Sequence, residues 1–173
     1  MSMVAYFRRL PNRDRERLLA EPELGTEYVH LADSIEDDEE RFGPFVNLYI
    51  DKAWHGIHFL LTGSAEPADL PEGFIYTGGR EIGEGCGYGP ARGFTSSEVK
   101  QIAEMLAAAD EATLRSRYDP HVMTRDEVYP SDIWECWPPE DDPLGFLIDQ
   151  YTELRKFIMD AAQADEALLA YFG

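Results

Sequence analysis

The run from Asp142 to Ala161 constrains the fold more than any other part of this chain. Asp142 is a good helix N-cap, and Pro143 suits the first helical position, where its missing N–H is not needed. Leu144, Leu147, Ile148, Tyr151, Leu154, Phe157, Ile158 and Ala161 then recur at helical spacing. Such a stripe, roughly five turns long, has to be covered by other elements. The chain has the material to do so. It is 173 residues long, 44% hydrophobic and 12% aromatic, enough for one domain with its own core. No internal repeat, low-complexity tract or dividing linker interrupts it, so residues 1–173 are expected to form a single domain.

The covering elements are legible in part. "VAYFRRL" (4–10) is expected as a strand ended by Pro11, with Asn12 capping a short helix to about Glu21. Residues 26–41 are expected to be helical, although weakly patterned. "GFIYTG" (73–78) and "ARGFT" (91–95) read as extended segments. Thr95 and Glu98 form a capping box. Val99, Ile102, Ala103 and Leu106 follow at i, i+3, i+4 and i+7. Asp110 caps a further helix that Pro120 is expected to break. The tail "EALLAYFG" fits a helix or a short buried strand equally well.

"DKAWHGIHFLLTG" (51–63) holds two of the four histidines. Asp51 reads as its N-cap and Gly63 as the glycine just past its end. On a helical projection Trp54, Ile57, His58 and Leu61 share one stripe, while His55, Phe59 and Thr62 flank it. A helix apolar around most of its circumference is buried on several sides. His58 is therefore expected in the core and His55 at its boundary. Gly56 costs about 1 kcal/mol relative to alanine inside a helix, which points to close approach by another backbone. The HxxH spacing lacks the glutamate of the zinc-protease motif HExxH, and no metal site is expected.

"TGGREIGEGCGYGPARG" (77–93) is glycine-rich but has no phosphate-loop Gly-Lys-Ser/Thr and does not complete GxGxxG before a helix. Glu81 and Glu84 would repel an anion. The glycines are expected to serve turns and close backbone packing. Arg80, Tyr88 and Arg92 are the residues of this stretch that suit a cleft wall, and Arg92 is also placed to pair with Glu81 or Glu84. Cys86 lacks a neighbouring base to activate it. No cofactor is expected.

Charge narrows the function classes. There are 34 acidic residues against 15 basic ones, a formal net charge of −19. That excess argues against nucleic acid and anionic membrane surfaces as partners, and favours a basic protein. It is concentrated in "DSIEDDEE" (33–40) and in residues 126–142. Neither has the spacing of a calcium loop. Cys86 and Cys136 match no zinc spacing, no apolar run approaches the roughly 20 residues of a membrane helix, and "MSMVAYFRRLPNRDR" does not read as a secretory leader. A cytoplasmic setting with free thiols is expected.

Several segments, in order, resemble one family: "DKAWHGIHFLLTG", "GGREIGEGCGYGPARGFTSSEV", "YDPHVM" and "VYPSDIW", with "MSMVAYFRRL" and "EALLAYFG" at the ends. They are similar to the YfbM-like bacterial proteins, classed as a domain of unknown function. The resemblance covers nearly the whole chain. It implies a compact α+β domain with a small sheet that includes the N- and C-terminal strands, packed with several helices. It implies no activity, substrate or cofactor.

Two functional expectations follow. One is an acidic binding or interaction module that neutralises a basic partner. The alternative is a small-molecule binder or enzyme with a pocket between helix 51–63 and loop 77–93, lined by Trp54, His55, His58, Arg80, Tyr88 and Arg92. There a histidine would act as acid/base and an arginine as anion clamp. A third option, a subunit of a larger assembly, rests on Ile133, Trp134 and Trp137 as an exposed contact patch.

Overall fold

The two ends of the chain pair with each other at the centre of the molecule. In the computed structural model, which describes residues 2–30, 43, 45–85, 88–131, 133–138 and 140–173, β1 (Ala5–Leu10) runs antiparallel to β5 (Ala167–Phe172) over its full length, with Phe7 opposite Ala170. β2 (Val46–Tyr49), β3 (Arg80–Ile82) and β4 (Ala91–Phe94) complete an antiparallel sheet of order β2-β1-β5-β4-β3. β5 is covered on both faces. Leu168 and Ala170 join one core, and Ala167, Leu169 and Tyr171 the other. A strand buried on both faces is an unbroken apolar run without alternation, which is why the tail alone fitted either type of element.

The larger core lies between the sheet and α3 (Ala53–Thr62), α4 (Ser96–Ala108), α5 (Glu111–Arg117), α6 (Pro120–Arg125) and α7 (Pro143–Gln163). α1 (Asn12–Ala20) and α2 (Pro22–His30) cover the opposite face. The result is one α+β domain of helices on both sides of a five-stranded sheet. The long stripe behaves as read: Leu147, Ile148, Tyr151, Leu154, Ile158 and Ala161 are buried, with Leu144 and Phe157 packed at the margin. The Thr95–Glu98 capping box is complete, and Asp110 and Asp142 accept helix-start N–H groups from Thr113 and Gly145. Among the described residues no helix is long and apolar enough to cross a membrane.

Several local expectations are overturned by tertiary contacts. Asn12 does not cap α1; its amide accepts from the Ser96 N–H at 3.0 Å and donates to the Asp165 carbonyl at 3.2 Å, joining three helix ends. Asp51 does not cap α3. It adopts φ 49°, its carbonyl accepts from Ala5 N–H, and its carboxylate accepts from the Tyr49 hydroxyl. The weak helix pattern at 26–41 belongs to a helix that begins earlier, at Pro22; residues 31–41, with the acidic run 33–40, lie outside the described residues. The helix capped by Asp110 does stop before Pro120, at Arg117, and Pro120 in turn opens α6, with Asp119 as its cap. Gly63 ends α3 as expected, in the left-handed conformation (φ 76°).

Residues 73–78 are a chain of turns, not a strand. Gly73 N–H donates to the Asp69 carbonyl and Thr77 N–H to that of Gly73, both at 2.8 Å. Phe74 and Ile75 are buried there. The apolar pair imitates a strand, but its carbonyls find their partner in Arg92.

Candidate functional site

α3 delivers Trp54, His55 and His58 toward the turns at 64–78 and the sheet. Gly56 makes room for side chains and not for a backbone: a Cβ there would lie 2.7 Å from Leu147 Cδ2 and 3.1 Å from the Trp134 ring. α3 therefore seats directly on α7, and the histidine side of the helix is pressed into the interior.

Both histidines are sealed. His55 is 6% exposed and His58 0%. His55 Nδ1 accepts the Tyr129 N–H at 2.8 Å, which leaves Nε2–H to donate to the Ala65 carbonyl at 2.9 Å. That pattern holds the neutral ring in one tautomer. His58 Nε2 lies 2.8 Å from the Glu66 carbonyl, and its ring packs beside Tyr76. Burial pushes the pKa of both imidazoles down, against the upward pull of their carbonyl partners. The boundary position expected for His55 is thus replaced by a core position, because Tyr129 and residues 64–66 close over it. An acid/base role for either ring has no access to a substrate.

Arg92, half-buried, is a second group committed to backbone partners. Its Nη1 donates to the carbonyls of Phe74 (3.2 Å), Thr77 (2.5 Å) and Gly78 (3.2 Å), and Nη2 to that of Ile75 (2.6 Å). A guanidinium has five N–H donors in a planar fork, which suits this bend. Burial lowers its pKa to about 10, so it remains a cation at neutral pH. It is a fastener for residues 74–78 and not a free anion clamp. No ion pair joins it to Glu81 or Glu84 among the described residues.

An open cleft of about 260 Å³ does lie between α3 and the glycine-rich segment. Trp54, Tyr88 and Arg92 line it, as do Met3, Tyr76, Glu81, Gly89, Pro90 and Phe172. Phe172 packs edge-on against Trp54 at 4.8 Å, and Tyr76 lies 5.5 Å from the same ring. The Trp54 indole N–H donates to the Met3 carbonyl at 3.2 Å, fixing the wall. Glu81 sits opposite Arg92 in the β3–β4 register, so the two point to the same side of the sheet.

Of the six residues read from the sequence, the cleft gathers Trp54, Tyr88 and Arg92. His55 and His58 lie behind its wall. Arg80 is exposed and opposite Gly93, on the other side of the sheet from Glu81 because side chains alternate along a strand. Glu81, Tyr76, Phe172 and Met3 complete the cleft. Period-two alternation in "REI" would have separated Arg80 from Glu81, had those three residues been recognised as a strand.

Ile133, Trp134 and Trp137 do not form an exposed patch. Trp134 is buried, its indole N–H donates to the Val128 carbonyl at 2.7 Å, and its ring stacks on Trp137. With Asp51, Lys52, Pro130 and Phe146 they line an apolar pocket of about 360 Å³. Among the described residues no group of three His, Cys, Asp or Glu side chains is placed to hold a metal ion. Cys136 is exposed as a free thiol; Cys86 lies outside the described residues.

The family model described as a domain of unknown function, DUF1877, matches residues 1–171. The chain is also similar to a protein of unknown function, YfbM from Escherichia coli, known from its crystal structure. The two share 18% sequence identity and a TM-score of 0.72, over 98% of this chain and 99% of that one. At that identity the likeness is one of fold alone. No curated protein matches in sequence.

Proposed function

The chain belongs to the DUF1877 family, and from that premise we propose that it is an acidic, cytoplasmic binding module for a basic protein partner. The observation that carries this reading is where the two signs of charge sit. Arg8 is fully buried, and its guanidinium donates to Asn47 Oδ1, the Tyr28 carbonyl and the Tyr171 hydroxyl, all uncharged groups. Arg92 is used on carbonyls, and Arg15 is buried with its Nε on the Gly93 carbonyl and its Nη1 on the Glu16 carboxylate. Part of the small basic complement is thus turned inward. Asp126, Glu127, Glu135, Glu140, Asp141 and Asp142 are all exposed. The surface offered to a partner is more acidic than the formal −19 suggests. A field of that sign speeds the encounter with a basic protein and rejects acidic ones.

The test is co-purification with proteins encoded beside its gene, at about 50 mM and about 500 mM salt, conditions between which exposed charge interactions are largely screened. A basic partner held at low salt and released at high salt is expected. The variant Glu127→Gln/Glu140→Gln/Asp141→Asn should slow association without altering the fold. Absence of any salt-sensitive partner, or an affinity indifferent to the triple variant and to salt, overturns the reading. The alternative of a small-molecule binder is favoured by one observation, the cleft beside Trp54; its histidine chemistry has no support in this geometry.

A further inference from the structure

We propose that the cleft between α3 and the glycine-rich segment is a binding site for an organic ammonium group, held by the Glu81 carboxylate against the rings of Tyr76, Tyr88 and Phe172. The inference rests on the cleft and not on the charge-driven partner reading, so either can fail alone.

Three observations converge. The first is the opposite state of two facing charges. Glu81 and Arg92 are register partners on the same side of the sheet, and both line the cleft. Arg92 has four carbonyl oxygens gathered around it. Its positive charge is answered from behind by carbonyl dipoles. Glu81 is exposed and makes no ion pair or hydrogen bond among the described residues. The charged group of the cleft left with an open hydrogen-bonding capacity is therefore the carboxylate. Second, the walls around it are aromatic. Ring faces carry negative potential and attract ammonium groups within about 6 Å of the centroid. A carboxylate beside such rings supplies the hydrogen-bond acceptor that fixes orientation. Third, the exterior is strongly acidic, which raises the local concentration of cations and lowers that of anions. The cleft's 260 Å³ falls just below the roughly 300–1,000 Å³ of drug-sized ligand pockets, so it suits a small ammonium head and a short alkyl stem.

That chemistry has two sources: a free amine, or the side chain of a lysine on a protein. Titration of the whole chain with n-butylammonium, tetramethylammonium and sodium acetate, followed by ¹H–¹⁵N NMR, tests the site. The cations are expected to give saturable shifts at the Tyr88 and Gly89 amides and the Trp54 indole N–H, and acetate none. Glu81→Gln should weaken n-butylammonium by about tenfold or more, the scale of one charge-assisted hydrogen bond, and tetramethylammonium, which has no N–H to donate, by less. The rest of its spectrum should stay unchanged, because the residue is exposed. Tyr88→Ala should weaken tetramethylammonium more than butylammonium, since the quaternary ion depends on the ring alone. A blocked lysine tripeptide in the same titration separates the sources: tighter than butylammonium means a protein lysine, weaker means a free amine, and either supports the site. No saturable shift with any cation, acetate binding in their place, or n-butylammonium affinity unchanged in Glu81→Gln overturns it.

Discussion

The histidine helix and the glycine-rich segment face one another, yet they treat their polar side chains in opposite ways. On α3, both imidazoles end in the interior on backbone partners at Ala65, Glu66 and Tyr129. Across β3 and β4, Arg92 does the same with residues 74–78, but its register partner Glu81 stays open to the cleft. Three of these four groups therefore hold the fold, and one remains available. Ionisable residues gathered beside a cleft are no guide to chemistry until the destination of each hydrogen bond is known.

The contrast can be broken most strongly at Arg92. Arg92→Met removes the donors to four carbonyls, and leaving buried acceptors unpaired costs about 1–3 kcal/mol each where water cannot replace the donor. A loss of roughly 3 kcal/mol or more in chemical denaturation is expected on that basis. Arg92→Lys should recover only part of it, because an ammonium presents its donors from one point. A loss below about 0.5 kcal/mol, the range of ordinary surface changes, would show that the clasp is not structural.

Acid probes the histidines next. Burial holds both imidazoles below their ordinary value of about 6.5. The unfolded chain then binds more protons than the folded one once the pH falls through about 6.5, so stability rises with pH in that window. Their contribution is full above about 6.5 and is lost progressively as the pH falls toward the lowered folded values. Denaturation at about pH 7.5 and about pH 5 should show this loss, at up to about 1.4 kcal/mol per pH unit for each histidine. In His55→Gln/His58→Gln the slope should flatten, whatever the variant's absolute stability. An unchanged slope would mean that the imidazoles do not titrate as sealed groups. The smallest effect belongs to Glu81. Glu81→Gln should alter stability by no more than about 0.5 kcal/mol, and a larger loss would move Glu81 into the same structural class as Arg92.

How much of this was legible in advance varies with the range of the interaction. The capping box at Thr95–Glu98, the stripe of α7 and the glycine ending α3 depend on residues within a few positions of one another, and they are found where the local pattern places them. Asn12, Asp51 and residues 73–78 carry equally clear local signals, but their polar groups are claimed by Ser96, Ala5 and Arg92, far away in the chain. The helical projection placed His58 in the core correctly. It could not place His55, whose cover comes from Tyr129, 74 residues on.

By itself, then, the sequence determined the helices whose start, stripe and end are all local, the acid excess, and the lack of a readable catalytic motif. The tertiary structure alone decided that the tail strand lies at the centre of the sheet, that Arg8 and Arg92 turn to backbone partners, and that Glu81 is left facing the cleft. The physical reason is that buried donors and acceptors must be paired, and the chain meets that demand with partners that no local spacing reveals.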